Sequence, residues 1–312
     1  MLHPWGSERR YNSYVQYFRK TFGERLQKVS VDAGFTCPNR DGNLGEGGCI
    51  YCDNASFNPS YCDPSEPIAE QLRKGIEFHK VRYRRAKKYL AFFQPFSNTY
   101  APLDKLKVIY QQALDYPGIV GLIISTRPDC IDEEKLAYFQ ELSKNYYIHI
   151  EYGIESCYDK TLEWIKRGHT FQQSMDAVRM TKAYGLRTGV HLILGLPTET
   201  REEILEEAGI VSELPIDTLK LHQLQIIKGT RLAEMYRENK DDFHLFSLEE
   251  YIELVIDFLE RLTPNIVVER FVGEVPPKYI ESFNWGHIRN EQIVQLIEKR
   301  LEERDTWQGK KF

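Results

Sequence analysis

Apolar strand cores recur along this 312-residue chain, each followed by a stretch with helical spacing, and that alternation restricts the fold more than any other feature. The cores read KVSVDAG at 28–34, KYLAFFQPF at 88–96, GIVGLIISTRP at 118–128, YYIHIEYGIES at 146–156, RTGVHLILGLP at 187–197 and TLKLHQLQII at 218–227. Between them, helical spacing covers Ile68–His79, Pro102–Leu114, Asp132–Ser143, Tyr158–Arg167, Phe171–Tyr184 and Glu199–Glu213. Near-continuous apolar runs suit strands buried on both faces, and helices of about 10–15 residues between them make βαβ units. The expectation is an α/β chain with six parallel strands between Leu26 and Ile227.

The ends read differently. After Gly229 the sequence predicts helices over Leu232–Tyr236, Leu248–Leu262 and Asn290–Glu303, with Ser247 and Glu250 forming a capping box. NIVVERFVGEVPP, at 265–277, reads as a strand pair or an edge strand stopped by prolines. The chain therefore divides into an N-terminal extension at 1–25, the α/β body at 26–228 and a small α+β extension at 229–312 packed against the sheet. Six cysteines are too few for a disulfide scaffold, and MLHPWGSERRYNS lacks the apolar core of a secretion signal. No apolar run reaches the roughly 18 residues of a membrane span. A cytoplasmic protein without a membrane partner is expected. A net charge of −5 argues against indiscriminate coating of nucleic acid.

Three cysteines, Cys37, Cys49 and Cys52, lie in FTCPNRDGNLGEGGCIYCDNASF, where Gly42, Gly45, Gly47 and Gly48 permit a tight wrap. Thiolates suit iron, and three of them can hold three corners of an iron–sulfur cube while leaving the fourth iron open. A structural zinc site would want a fourth protein ligand, and the neighbouring Asp32, Asp41 and Asp53 are weak candidates. Cluster, zinc and coincidence all remain open on residues alone. Other polar groups gather after the strand C-terminal ends, where parallel sheets keep their chemistry: Gln94 and Ser97 to Thr99, Ser125 to Arg127, Glu151 to Ser156, then His191 and Gly195, and finally His222, Gln223 and Gln225. Alternation sends Gln223 and Gln225 to one face and His222 to the other. Cys62, Cys130 and Cys157 lack mutual spacing and read as core or incidental thiols.

From Leu26 to Gly229 these residues resemble the radical S-adenosylmethionine (SAM) superfamily. CIYC with Tyr51 before the last cysteine, STRPD at 125–129, EYGIES at 151–156, HLILGLPTET at 191–200 and QLQIIKGTRLAEMY at 223–236 carry the likeness. They are similar to the branch holding coproporphyrinogen-oxidising and Elongator-like enzymes. The eleven residues between Cys37 and Cys49 depart from the common CxxxCxxC spacing and match a longer-loop variant. The resemblance implies a partial (βα)6 TIM-type barrel and a [4Fe–4S] cluster on Cys37, Cys49 and Cys52, whose open iron chelates SAM. It implies that Arg127 and Glu151 position SAM, that Ser125 or Ser156 lies near the ribose, and that Gly195 admits the adenine. Tyr51 and Gln94 join this cofactor pocket, and His191, Gln223 and Gln225 face cofactor or substrate.

RRYNSYVQYFRKTFGERLQKVSVDAGFTCPNRDG, QPFSNTYAP and ERFVGEVPP further resemble a bacterial Elongator-like subfamily linked to tRNA wobble-uridine modification. That likeness implies conversion of 5-carboxymethylaminomethyl-(2-thio)uridine to 5-aminomethyl-(2-thio)uridine, an electron donor of flavodoxin or ferredoxin type, and a tRNA methyltransferase acting next. Hydrogen abstraction beside the side-chain carboxylate, electron loss to an imine and hydrolysis would complete the reaction. Lys220, Lys228 or Arg231 is then a candidate carboxylate clamp. Arg9, Arg10, Tyr11, Tyr100 and a basic run containing Arg82, Arg84, Arg85, Lys87 and Lys88 are candidate RNA contacts. Three alternatives stand beside this. Uridine carboxymethylation is disfavoured because the stretch after residue 230 is too short for a full acetyltransferase domain. Porphyrinogen oxidation is disfavoured because Asp53, rather than a cysteine or aromatic residue, follows Cys52. A zinc-stabilised RNA-binding module would use the same three cysteines.

Overall fold

Every strand of the sheet pairs with the next strand in the chain, and every pair is parallel. The computed structural model describes residues 2–80, 86–282, 285–286 and 288–312. Its strands are β1 (Gln27–Val31), β2 (Tyr89–Phe93), β3 (Ile119–Thr126), β4 (Tyr147–Glu155), β5 (Arg187–Leu194), β6 (Thr218–Gln223) and β7 (Val267–Arg270). The helices are α1 (Tyr14–Phe22), α2 (Ile68–Lys80), α3 (Leu103–Leu114), α4 (Glu133–Ser143), α5 (Asp159–Trp164), α6 (Phe171–Ala183), α7 (Arg201–Ser212), α8 (Arg231–Glu238), α9 (Leu248–Arg261) and α10 (Asn290–Glu303). Stepping one strand sideways at each crossover, in the one hand such connections adopt, curls the sheet and puts the helices outside. The curl is strong enough for Lys28 of β1 to reach Glu269 of β7 at 2.7 Å. The result is a partial TIM-type barrel with a C-terminal extension.

Alternation along the strands splits the core in two. Val29, Phe93, Leu122, Ile124, Ile150, Val190, Leu192 and Leu219 point outward and pack with Leu72, Leu106, Tyr110, Phe139 and Val178 of the helices. Leu90, Phe92, Ile123, Tyr147 and Val267 point inward and meet Tyr14 and Phe18 of α1. Helix α1 thus closes the lower end of the lumen. The sequence reading gave this stretch no helix. Its signals were Tyr14, Phe18 and Phe22 at i, i+4, i+8 and Gly23, which ends the helix at φ 71°.

Two further expectations change. Of the two readings of 265–277 the edge strand forms and the strand pair does not: Val267–Arg270 adds to β6 as a seventh parallel strand at the end of the sheet, where six were expected. The preceding Asn12 carbonyl accepts from Val268 N at 2.7 Å, so the N-terminal segment covers this edge. The helix expected over Tyr158–Arg167 ends at Trp164, because Lys166 takes φ 52° and Gly168 φ 76°. That turn sends Arg167 back toward the barrel mouth. The capping groups at Asp132 and Ser247 form as expected. Among the described residues, no helix is long and apolar enough to cross a membrane.

Candidate active site at the barrel mouth

The cysteine loop is wound by its own backbone. Cys37 O accepts from Arg40 N at 2.8 Å, Pro38 O from Leu44 N at 2.8 Å, and Asn39 O from Gly48 N at 2.8 Å. Gly48 has φ 88°, a left-handed conformation that calls for glycine, and it lies directly beneath the Arg40 guanidinium. Asn39, buried in the loop, donates through Nδ2 to the carbonyls of Lys166 (2.8 Å) and Arg167 (2.9 Å) and reaches Cys49 Sγ at 3.4 Å. Asn54 Nδ2 lies 3.7 Å from Cys52 Sγ. Burial first, then the neighbouring Cys49, pushes the Cys52 thiol up to about 11.

All three cysteines line one cavity of about 190 Å³, together with Tyr51, Gln94, Ser125, Arg127, Glu155, Arg167, His191, His222, Gln223, Gln225 and Arg270. The three thiols share this cavity, with amide and guanidinium donors near Cys49 and an amide near Cys52. Among the described residues no three His, Cys, Asp or Glu side chains form a single-ion site, but a cube, which takes one cysteine on each of three irons, needs only thiols around one cavity. Arg127 is almost fully buried and holds Asp129 through two bonds of 2.9 and 2.8 Å, while its Nη1 has no partner. Such an orphaned donor beside the thiols suits the polar groups of a bound cofactor. Glu155, already among the candidates of the fourth strand, and Arg167, which the sequence did not single out, complete this cavity wall. Glu155 adopts φ 68° at an irregularity in the β4–β5 ladder. Arg167 pairs with it at 3.4 Å, donates to Gly153 O at 2.6 Å and stands 3.6 Å from Cys49 Sγ. For Arg167 the signal available was the cation in IKRGH, just past a helix end.

Below the mouth, the lumen carries charge. Glu151 is fully buried, accepts from Ser125 Oγ at 2.9 Å and is bonded by Lys220, with Lys28 at 3.6 Å and His191 at 3.4 Å. Lys220 also meets Glu269 at 3.1 Å. Burial alone would raise the Glu151 carboxyl, but Lys220 and Lys28 take it well below the usual carboxylate range. Burial, with Lys220 next, lowers His191, which is held neutral.

These contacts correct several expectations. Glu151 is turned into the lumen and neutralised there, so it is not free to position SAM. Lys220 is 2% exposed and already holds two carboxylates, so it cannot clamp a third. Lys228 and Arg231 line neither this cavity nor its neighbour; Lys228 donates to Lys278 O at 3.1 Å and Arg231 pairs with Glu234 at 2.8 Å. Ser156 is fully buried outside the cavity lining and donates to Glu199 at 2.5 Å. His222 shares the cavity with Gln223 and Gln225 instead of facing away, because β6 ends at Gln223 and its alternation ends there too. Gln223 is clamped on Gly273, accepting from its N at 2.8 Å and donating to its O at 3.2 Å.

The candidate RNA contacts divide similarly. Tyr11 is buried with its ring edge-on to Phe271 at 4.9 Å, Arg9 pairs with Glu298 at 2.6 Å, and Arg10 with Asp305 at 3.1 Å. These three tie the N-terminal extension to the C-terminal one and are not free to grip a strand. Tyr100 bonds Asn43 of the cysteine loop. Lys88 pairs with Glu24 at 3.0 Å, Lys87 is exposed, and Arg82, Arg84 and Arg85 lie outside the described residues.

A second cavity of about 580 Å³ adjoins the first and shares Phe57, Asn58, Gln223, Leu224 and Gln225 with it. Its walls are largely apolar, with Phe78, Leu245, Phe246, Val275, Ile280 and Trp285 among them. Gly195 belongs here: at φ 94°, a Cβ would sit 3.0 Å from the Phe246 ring. That close approach is made by Phe246 rather than left open for an adenine.

Residues 37–209 match the Radical SAM superfamily, and residues 216–303 match the Radical_SAM C-terminal domain. The chain belongs to the radical SAM superfamily, whose enzymes use a [4Fe–4S] cluster and SAM, and this membership removes the zinc-stabilised module. It is 33% identical over 311 residues to the uncharacterised YtqA of Bacillus subtilis, covering 98% of this chain and 94% of that protein. A tRNA uridine(34) acetyltransferase of Methanocaldococcus jannaschii is 27% identical over 187 residues, covering 59% of this chain and 33% of the relative. Among solved structures, the Elp3 of Methanocaldococcus infernus lacking residues 1–46 superposes with a TM-score of 0.69 at 19% identity, over 91% of this chain and 64% of that one. That last likeness establishes the fold.

Proposed function

We propose that this enzyme modifies the wobble uridine of tRNA, converting the 5-carboxymethylaminomethyl side chain, with or without 2-thiolation, to 5-aminomethyl. The observation that carries the reading is the pair of joined cavities. A narrow, charged one lies beneath the thiols and opens into a wide, apolar, aromatic-lined one. An RNA base acted on by an enzyme must be drawn out of its stack, and apolar and aromatic walls are what receive it. A relative that carries the name tRNA uridine(34) acetyltransferase supports the same substrate class.

When bound, the cluster and SAM supply a 5′-deoxyadenosyl radical that takes a hydrogen atom from the substrate. Cys37, Cys49 and Cys52 would hold the iron, Asn39 and Arg167 donate to Cys49, and Arg127 offers its unpartnered Nη1 to the cofactor. On the substrate, the C–H bonds between nitrogen and carboxylate are the weak ones, since the nitrogen lone pair stabilises a radical there. After the hydrogen atom leaves, one electron passes to a carrier of flavodoxin or ferredoxin type and the nitrogen loses a proton, giving an imine. Water then cleaves the imine to the aminomethyl base and glyoxylate. His191, neutral and on the cavity wall, is placed to take the proton. The amine product is the substrate a downstream tRNA methyltransferase requires.

The test is incubation of anaerobically reconstituted enzyme, SAM and reductant with tRNA bearing the carboxymethylaminomethyl group, followed by nucleoside mass spectrometry. Aminomethyl-uridine and glyoxylate should appear in equal amounts. A wobble nucleoside that shows no SAM-dependent change sinks the proposal.

A further inference from the structure

The lumen carries one cation too many. Lys28, Lys220 and Arg270 face only two carboxylates, Glu151 and Glu269. Lys28 and Lys220 are bound to both acids, so those four groups balance. Arg270 is left over. Its Nη2 donates to His222 Nε2 at 2.7 Å, its Nε has no partner, and it lies on the wall of the cavity beneath the cysteines. Glu274, the nearest acid along the chain after Glu269, is exposed and accepts from Asn290 N at 3.1 Å. A half-buried guanidinium whose only polar side-chain contact among the described residues is an imidazole, and whose Nε is left unpaired inside the protein, calls for an anion.

The surroundings hold this cation in place. Gln223 clamps Gly273 on both sides, Tyr251 donates to Phe271 O at 2.5 Å, and the register shift between Leu219 and Lys220 sets Arg270 across from Lys220 in the ladder. Arg270 Nη2 lies 2.7 Å from His222 Nε2 and 3.4 Å from Nδ1, and a neutral imidazole keeps one N–H as a further donor. Guanidinium and imidazole N–H together match the two oxygens of a carboxylate.

We propose that Arg270, with His222 beside it, seats the carboxylate of the substrate on the inner wall of the cavity; only the identity of that substrate rests on the tRNA reading above. SAM also has a carboxylate, but that group would be taken up at the cluster held by the three cysteines, where Arg167 stands 3.6 Å from Cys49. Arg270 replaces Lys220, Lys228 and Arg231 as the clamp. It is a specificity residue: it distinguishes a side chain that ends in a carboxylate from one that has lost it, so that the product leaves the site.

The probe is N-methylglycine, the free counterpart of the side-chain end, followed by saturation-transfer NMR on the reconstituted protein with SAM bound. Wild type should give a signal, N-methylglycinamide, which lacks the carboxylate, should not, Arg270→Met should lose the signal and Arg270→Lys should keep part of it. The variants are accepted only with wild-type iron content, and the amide arm needs no variant at all. In the tRNA assay, Arg270→Met should lower kcat/KM about 10- to 100-fold while the SAM dissociation constant stays within about twofold. Equal binding of acid and amide, no binding to wild type, binding that survives Arg270→Met, or a matching loss of SAM affinity overturns the proposal. Arg270-dependent binding of N-methylglycine without any tRNA conversion keeps the seat and sinks the tRNA reading; tRNA conversion indifferent to Arg270 does the reverse.

Discussion

The cysteine loop and the charged lumen lie next to each other and are built in opposite ways. All three thiols come from residues 37–52, held by glycine turns and backbone hydrogen bonds only a few residues apart in the chain. The lumen charges come from β1, β4, β6 and β7, with Lys28 and Glu269 at the two ends of the sheet. The loop can lose its function without unfolding the barrel, because little of the sheet depends on it. The lumen cannot lose one charge without consequence, because the charges left behind are buried and unpaired.

The sharpest contrast comes from single Cys→Ser changes at 37, 49 or 52. Each should abolish the iron–sulfur absorbance and SAM cleavage completely, while the cluster-free protein keeps its stability within about 1 kcal/mol in denaturant titration. Loss of the fold along with the iron would erase the distinction between the two regions.

Lys220→Met should do the opposite, retaining iron binding at the rim while costing about 3–5 kcal/mol of stability. The pH profile carries the same information. Because the folded Glu151 carboxyl lies below its unfolded value, its contribution is fully present above the ordinary carboxylate range and is lost as pH falls through the folded value. Removing Lys220 moves that loss toward neutrality, so urea midpoints of the variant should fall at a higher pH than those of wild type. Superimposable profiles would show that the lysine does not hold the carboxyl down.

Asn39→Ala tests the seam between the regions and has the smallest expected effect. Its amide joins the loop to the carbonyls of residues 166 and 167 and approaches the Cys49 sulfur. Leaving those carbonyls unpaired should cost about 1–3 kcal/mol. The cluster should also shift in reduction potential with its iron content unchanged; an unchanged potential would assign Asn39 to loop packing alone.

Much of the barrel was legible because each of β1 to β6 is a local apolar run and most of the outer helices carry a local stripe. β7 read only as one half of an ambiguity, since VVER is short and polar, and it becomes the seventh strand of the barrel only because β6 offers an edge. Helix α1 was missed because its aromatic stripe means little without the lumen it plugs. Among site residues, the cysteines stood out through spacing. Arg167 and Arg270 did not, since a single charged residue near a strand or helix end looks the same whether it faces solvent or a cavity. The surface cations misled for the same reason: Arg9, Arg10 and Lys88 read as free charge, and their partners Glu298, Asp305 and Glu24 come from elsewhere in the fold or chain.

The order of amino acids alone determined a parallel α/β barrel and three thiols on a glycine-rich loop, because strand burial, helix periodicity and tight turns are all short-range demands. Which charges neutralise one another, and which lumen cation is left without a carboxylate, was decided only by the curled sheet. Electrostatic pairing depends on distance through space, and that distance does not exist until the barrel has formed.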